Sequence, residues 1–210
     1  IKNSKETLIS GWGGYPTRRT NMVYPKNIEQ IQNEIKKSDL IARGNGRAYG
    51  DSSINEKNTI SMKYFDHILS FDDSSGILVA ESGILLEDVI NTFLPRGWFP
   101  YVTPGSKFTS IGGLIAADVH GKNHHKEGSF RNFVDWFELI NSKGEIKRCS
   151  KNENTELFEW TIGGMGLTGV IIKAAIKLRP VKTCWIKQKT LVAKNIEQTM
   201  DIFEKNMNAT

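Results

Sequence analysis

The residues best suited to chemistry lie together between positions 104 and 132. A Gly112-Gly113 pair and a short apolar run lead into Asp118 and His120, and two more histidines, two lysines and an arginine follow. So many small residues beside polar groups make a poor core segment. They suit a backbone that passes close to a ligand while side chains reach toward it. Taken by itself, the stretch is equally well explained as a Gly-rich surface loop.

The polar side chains of this stretch each have two interpretations. Asp118 either binds a ligand or fixes its own turn, and His120 either contacts a ligand or hydrogen-bonds backbone in a tight turn. His124 and His125 follow His120 at a spacing that suits metal ligands on one helical face. Gly121 and the polar residues after it disfavour a helix there, and no nearby acidic or Cys residue completes a site. We therefore expect no metal site.

A second Gly-rich segment, RGNGRAYGDSS at residues 43–53, directly follows a short apolar strand. Such a loop lets successive backbone N–H groups point into one concavity, which binds anions such as a pyrophosphate. Arg43 and Arg47 would add positive charge there. The spacing is not that of a Rossmann fingerprint, and the Gly-Lys-Ser/Thr of a P-loop does not occur. A polar turn with solvated arginines is the alternative.

Two further Gly-rich segments flank these. SGWGGYPT at residues 10–17 adds a Trp and a Tyr, which either cover a flat group or cap the core. GGMGLTG at residues 163–169 precedes a predicted strand and indicates another close backbone approach. The Gly-rich loops at residues 43–53, 104–132 and 163–169 each leave or enter a strand. Together they predict one large ligand with a pyrophosphate, held mainly by backbone.

The elements that must position these loops are of mixed type. Asn27 caps a predicted helix with Ile28, Ile31 and Ile35 on one face, and Pro95 ends a second helix. Further helices are predicted around residues 157–160 and 196–203, and strands at 40–42, 60–62, 77–81, 134–140, 146–149, 170–178 and 185–192. Because strands and helices do not alternate strictly, the pattern predicts an α+β fold and not a doubly wound sheet.

Composition sets outer limits on function. A chain of 210 residues, 39% hydrophobic and 24% charged, is typical of a globular protein with a real core, as one large domain or two small ones. The net charge of +5 is spread too evenly to indicate nucleic-acid binding, although it suits an anionic ligand. No apolar run is long enough to span a membrane. The two cysteines lack metal-ligand spacing, so reduced thiols in a cytoplasmic protein are expected.

Four separate stretches carry a family resemblance. SGWGGYPT (10–17), ARGNGRAYGD (42–51), TPGSKFTSIGGLIAADVHGKNHHKEGSFRN (103–132) and GGMGLTGVI (163–171) together resemble the FAD domain of the vanillyl-alcohol-oxidase/PCMH flavoprotein family. Within it they are most similar to the decaprenylphosphoryl-β-D-ribose oxidase group. The resemblance implies a PCMH-type FAD-binding domain of two α+β subdomains over residues 1–180. It also implies that residues 181–210 begin a truncated substrate or cap domain.

The same resemblance implies roles for individual residues. His120 would lie beside the flavin and assist removal of a hydroxyl proton from the substrate. The implied FAD-binding residues are Arg43, Gly44, Asn45, Gly46, Arg47 and Ala48 at the pyrophosphate; Gly105, Ser110, Ile111, Gly112 and Gly113 at the diphosphate and ribityl chain; Ala117, Asp118, Val119 and His120 along the flavin; and Ile172 near the adenine. Family members with covalent flavin carry a linking His where Arg47 stands, so non-covalent FAD is expected.

The activity implied is oxidation of a secondary alcohol of a sugar or polyprenyl-phospho-sugar to a ketone, with hydride transfer to FAD and a partner reductase completing an epimerisation. An aldonolactone or alditol oxidase that uses oxygen is one alternative, and a non-catalytic FAD-binding fragment is another. Family members draw further active-site residues, including a lysine, from the part that follows about residue 180. The expected location is the cytoplasm, and a lipid-linked substrate would bring the protein to a membrane surface. Nucleic acid is not an expected partner.

Overall fold

Two sheets organise the part of the chain that the computed structural model describes, residues 4–207. The first sheet has four strands, in the order β1 (Ser4–Ser10), β2 (Thr17–Val23), β4 (Asn58–Ser61) and β3 (Leu40–Arg43). β1 and β2 form an antiparallel hairpin, whereas β4 runs parallel to both β2 and β3. The Gly-rich segments at residues 10–17 and 43–53 therefore both adjoin this sheet.

The predicted helix after Asn27 is confirmed as α1 (Ile28–Lys37), which joins β2 to β3. The Asn27 Oδ1 accepts a hydrogen bond of 3.0 Å from the Gln30 backbone N–H, as a helix N-cap requires. Ile31 is fully buried between the helix and the first sheet. The helix thus covers the sheet from which the loop at residues 43–53 emerges.

The second sheet has six strands, and every pairing in it is antiparallel. Its order is β5 (Ile68–Asp72), β6 (Ile77–Glu81), β10 (Val170–Pro180), β8 (Val134–Ile140) and β9 (Ile146–Ser150), and β7 (Trp98–Pro100) pairs with the last residues of β10. The strands predicted at residues 134–140 and 146–149 are confirmed as β8 and β9, which pair antiparallel. Two sheets of different character, with helices packed beside them, confirm the α+β class.

Two hydrophobic cores meet at β10. The larger core lies between the second sheet and the helices α2 (Leu86–Phe93), α3 (Ile111–Ala116) and α5 (Thr155–Thr161), and its largest side chains are Phe93, Phe137 and Phe158. The smaller core lies under α1 and the first sheet. Successive residues of a strand point to opposite faces, so Ile171 packs in the larger core and Ile172 in the smaller. β10 therefore couples the two halves.

The prediction of a strand at residues 185–192 is wrong. The backbone there is irregular, and Trp185, Ile186 and Val192 are largely exposed. A strand needs a neighbour to bind its N–H and C=O groups, and none of the described strands lies alongside. The helix predicted after it is confirmed as α6 (Ile196–Lys205), capped by Asn195.

Residues 121–123 are not helical, as predicted, but a helix begins directly after them. A single helical turn, α4 (His124–Glu127), contains both adjacent histidines and ends at Gly128. His120 lies outside this turn, so the three histidines do not share one helical face.

Among residues 4–207, no helix combines the length and apolar character needed to cross a bilayer.

Candidate functional site

The predicted loops meet at one cavity between the two sheets. Its walls come from the loop after β3, from residues 109–119 around α3, and from residues 165–169 before β10. The cavity measures about 860 Å³ when counted out to open solvent, within the range of pockets that hold organic ligands. Apolar groups form much of the lining, among them Met62, Leu114, Val119 and Ile171.

The loop at residues 44–48 offers unpaired backbone donors to this cavity. Among residues 4–207, no group accepts a hydrogen bond from the backbone N–H of Asn45, Gly46, Arg47 or Ala48. All four residues line the cavity, and Gly46 adopts a φ of 64° that favours glycine. Successive free N–H groups of this kind form an anion-binding concavity.

Arg43 lies behind this loop and does not line the cavity. Its guanidinium donates to the Ser10 carbonyl oxygen at 2.7 Å and to the Ser53 Oγ at 3.0 Å. Burial lowers the pKa of Arg43. A Cβ on Gly46 would come within 2.4 Å of the Arg43 guanidinium, so the arginine supports the loop from the protein side.

Arg47, in contrast, lines the cavity. Its guanidinium carbon lies 4.4 Å from the centre of the Trp12 ring and 5.7 Å from that of Phe108, both within cation–π range. The Trp12 backbone N–H donates to the Ala48 carbonyl oxygen at 2.8 Å, which fixes residues 10–17 against the loop. The Arg47 Nε is buried and has no hydrogen-bond partner among the described residues.

The backbone N–H groups at the N-terminus of α3 donate to protein atoms and not to a ligand in the cavity. Ser110 caps the helix, its Oγ accepting from the Gly113 N–H at 3.3 Å. The Ile111 and Gly112 N–H groups donate to the carbonyl oxygens of Ile84 and Ser82 at 3.0 and 2.7 Å. The backbone N–H groups of residues 111–113 are therefore already paired within the protein. Ser110, Gly112 and Gly113 still line the cavity, whereas Ile111 is buried in the core.

The Gly-rich loop at residues 163–169 closes the cavity by forming hydrogen bonds to α3. The Met165 and Gly163 N–H groups donate to the carbonyl oxygens of Ala116 and Ile115, at 2.8 and 3.2 Å. Beyond it, Ile171 lines the cavity. The side chain of Ile172 packs in the smaller core and does not line the cavity.

Asp118 is held by Arg131 and does not line the cavity. Its Oδ1 accepts from the Arg131 backbone N–H at 3.0 Å and its Oδ2 from Arg131 Nε at 3.3 Å. Arg131 also pairs with Glu159 and donates to the Ile162 carbonyl oxygen at 3.2 Å. Asp118 has a φ of 42°, uncommon for a residue with a side chain. Of the two interpretations, the structure favours the turn-fixing one.

His120 lies at an exposed position two residues beyond Asp118, outside the cavity lining. Its Nδ1 is 3.4 Å from the Gly121 carbonyl oxygen, and its ring centre is 5.2 Å from that of His124. If Nδ1 carries the hydrogen that faces this carbonyl, Nε2 is left as a proton acceptor. Gly105 is likewise exposed and outside the lining.

Ser82 is a lining residue that the sequence analysis missed. It follows β6 directly and is 2% exposed, and its Oγ has no hydrogen-bond partner among the described residues. A Ser-Gly pair at the end of an apolar strand was the available signal. With the Arg47 Nε, it gives the cavity two buried donors that protein atoms leave unpaired. Free donors beside apolar walls fit a long ligand with an anionic centre and a flat ring.

The one cluster with metal-ligand geometry among residues 4–207 lies elsewhere, at Asp66, His67 and Glu81. His67 Nδ1 is 2.8 Å from Glu81 Oε2 and 3.6 Å from Asp66 Oδ1. The hydrogen bond to Glu81 raises the pKa of His67. These side chains are mostly exposed, and a hydrogen bond within the cluster already pairs the imidazole. We therefore interpret His67 and Glu81 as a surface ion pair.

Comparison with known proteins agrees with this geometry. The family model described as "FAD binding domain" matches residues 20–150. Decaprenylphosphoryl-beta-D-ribose oxidase of Mycolicibacterium smegmatis is 32% identical over 91% of the chain and 44% of its own length. D-arabinono-1,4-lactone oxidase of Candida albicans is 25% identical over 90% of the chain and 37% of its own length. Cytokinin dehydrogenase 5 of Arabidopsis thaliana is 32% identical over 50% of the chain and 20% of its own length. The chain spans less than half the length of each relative.

Proposed function

Because this chain belongs to the FAD binding domain family of oxidoreductases, we propose that it takes part in oxidising a secondary alcohol of a sugar or polyprenyl-phospho-sugar to a ketone. FAD, when bound, supplies the acceptor for a hydride from the carbon that carries the hydroxyl group. The observation that carries the substrate proposal is the 32% identity to decaprenylphosphoryl-beta-D-ribose oxidase over 91% of the chain. A partner reductase would return the ketone to an alcohol of opposite configuration.

The loop at residues 44–48 would hold the FAD pyrophosphate. Its support is the run of four unpaired N–H groups, together with the buried Nε of Arg47. The Arg47 guanidinium lies within cation–π range of Trp12 and Phe108, which favours this position of the charge before the cofactor arrives. The apolar residues Leu114, Val119 and Ile171 would face the uncharged parts of the cofactor. Gly112 and Ala117 allow close approach because neither carries a long side chain.

FAD is bound without a covalent link in this proposal. A guanidinium stays protonated in proteins and is not a nucleophile, and Arg47 stands where a linking His would be required. Among the cavity-lining residues that the structure describes, none is a His, Cys or Tyr. The described part of the cavity wall therefore holds no conventional linking residue.

His120 is the proposed proton acceptor. Its side chain is exposed at the end of the segment that continues from the cavity-lining residues Ala117 and Val119. As the carbon–hydrogen bond releases a hydride, the hydroxyl proton would pass to His120 Nε2, so that a ketone and an imidazolium are formed. The bond of Asp118 to Arg131 fixes the turn from which His120 projects.

Residues 1–180 would form the FAD-binding domain, and residues 181–210 would begin a separate substrate domain. The support is the surface of α6, where Ile196 and Phe203 are 73 and 66% exposed. Large apolar side chains in a structured helix are normally covered by another element. The substrate would then lie between that domain and the exposed side of the cavity.

An aldonolactone oxidase activity is the second candidate, favoured by the 25% identity to D-arabinono-1,4-lactone oxidase. The two are separated by mixing FAD-loaded protein anaerobically with a polyprenyl-phospho-sugar or with an aldonolactone, and following loss of the visible flavin absorbance. Loss with the first substrate alone supports the proposal, and loss with the lactone alone supports the alternative. Loss with neither, while FAD stays bound, would identify this chain as an FAD-binding fragment without turnover. His120→Gln should slow reduction without weakening FAD binding.

A non-covalent cofactor has its own test. Denaturation and ultrafiltration should release the whole flavin absorbance into the filtrate. Flavin that stays with the denatured protein would overturn the non-covalent assignment.

A further inference from the structure

Ser82 occupies a junction of three elements at the wall of the cavity. Its backbone N–H donates to the Ile172 carbonyl oxygen of β10 at 3.0 Å, and its own carbonyl oxygen accepts from the Gly112 N–H of α3 at 2.7 Å. A Cβ on Gly112 would come within 2.9 Å of the Ser82 Cβ. The backbone of Ser82 is thus fixed from both sides, and its side chain has a defined place.

The hydroxyl group at this place is unpaired. The Ser82 side chain is 2% exposed, and its Oγ has no hydrogen-bond partner among the described residues. Buried hydroxyl groups are nearly always hydrogen-bonded, because leaving one unpaired costs free energy. The buried hydroxyls of Thr20 and Thr59 obey the rule, since their oxygen atoms lie 3.0 Å apart.

We propose that Ser82 is a cofactor-positioning residue, whose hydroxyl group donates a hydrogen bond to an oxygen atom of bound FAD. This inference rests on the FAD site proposed above. FAD offers phosphate and hydroxyl oxygens as acceptors, and the cavity that Ser82 lines is where they would lie. Arg47 reaches the cavity from the first sheet and Ser82 from the second, so the cofactor would be held by both halves of the fold.

The proposal makes opposite predictions for the FAD-free and FAD-loaded protein. Without FAD the hydroxyl is an unpaired buried group, so Ser82→Ala should leave the melting temperature unchanged or raise it. With FAD the same change removes a hydrogen bond, so the dissociation constant should rise about tenfold. Ser82→Cys keeps a side chain of similar shape with a weaker donor. Its dissociation constant for FAD should lie between those of the wild type and Ser82→Ala.

The experiment is a titration of the stripped 210-residue protein with FAD, followed by flavin fluorescence, together with melting curves with and without FAD. Ser61→Ala is the matched control, because Ser61 is a buried serine on β4 that does not line the cavity. Its FAD affinity should equal that of the wild type.

Weaker FAD binding by Ser82→Ala, with an undiminished melting temperature of the FAD-free protein, would establish the proposal. Wild-type affinity in Ser82→Ala would overturn it, and so would a lowered melting temperature of the FAD-free variant, since that result indicates a structural role. Failure of the wild-type protein to bind FAD would instead overturn the FAD site itself, and this inference with it.

Discussion

Gly44 lies so close to Ser110 that a Cβ at position 44 would come within 2.0 Å of the Ser110 Oγ and 2.9 Å of its Cβ. The loop after β3 and the N-terminus of α3 therefore meet backbone against side chain. The same Oγ caps α3 by accepting from the Gly113 N–H. A glycine that looks suited to ligand contact in the sequence is needed here for contact between two walls of the cavity.

Gly44→Ala should displace the Ser110 side chain from its capping position. We expect a loss of about 1–3 kcal/mol in the free energy of unfolding, from overpacking and the lost cap, and weaker FAD binding because the two walls move apart. Urea denaturation and FAD titration measure these effects. Gly13→Ala is the control, since a Cβ there would meet Tyr49 at 3.8 Å, an ordinary contact. Equal stability of the two variants would contradict this account of the junction.

Gly112 and Gly113 are adjacent, yet valine should affect them differently. At Gly112 a side chain would press on the fixed Ser82 backbone, with its carbonyl oxygen 3.2 Å from the new Cβ, so Gly112→Val should lower both the melting temperature and FAD uptake. At Gly113 a Cβ meets only the Ser110 Oγ, at 3.1 Å, and the side chain would project at the exposed cavity wall. Gly113→Val should therefore reduce FAD uptake with a smaller loss of stability. Thermal melting of the two FAD-free variants measures this difference. A larger fall in melting temperature for Gly113→Val than for Gly112→Val would contradict the prediction.

The two cysteines should differ in reactivity. Burial, with a smaller contribution from the charge of Glu153, raises the pKa of the Cys149 thiol to about 11, whereas Cys184 is exposed. Because the thiolate is the nucleophile, iodoacetamide at pH 8 should add to Cys184 alone in the native protein and to both cysteines in denaturant. Peptide mass spectrometry identifies the labelled sites. Cys184→Ser is the control and should remain unlabelled in the native protein.

The raised pKa of Cys149 also has a consequence for stability. The folded state holds the thiol proton more tightly than the unfolded state, so this contribution is complete below the ordinary thiol pKa. It is lost as the pH rises toward about 11. Cys149→Ala should flatten the pH dependence of the melting temperature in that alkaline window. An unchanged slope would mean that other groups set it.

The ion pair of His67 and Glu81 predicts a specific titration. Hydrogen bonding to Glu81 raises the pKa of His67, so Glu81→Gln should lower that pKa in an NMR titration of the imidazole. Asp66→Asn is the matched control and should lower it less, because its oxygen lies 3.6 Å from Nδ1, compared with 2.8 Å for Glu81. The stabilising effect is present below the ordinary His pKa and is lost as the pH rises through the raised value. A larger fall in the His67 pKa in Asp66→Asn than in Glu81→Gln would show that Asp66, and not Glu81, is the main cause.

Local patterns in the sequence were sufficient for many elements. The capping residue Asn27 and the spacing of Ile28, Ile31 and Ile35 predicted α1, and the strands predicted at 134–140 and 146–149 match β8 and β9. The short strands β1, β2, β5 and β7 were not predicted. The residues of β1 and β5 are largely polar or exposed, and such segments become strands only because a neighbouring strand pairs with them. The strand predicted at residues 185–192 failed for the converse reason.

The sequence by itself determined the α+β class, through strands and helices that do not alternate strictly. The FAD-binding family was identified from the resemblance of four glycine-rich stretches, where the backbone must approach closely. Only the tertiary structure decided which side chains reach the cavity. It turned Arg43, Asp118 and Ile172 toward protein partners and brought Ser82 to the wall. The direction of a side chain depends on contacts made with residues far away in the chain, and those contacts do not exist until both sheets have closed around β10.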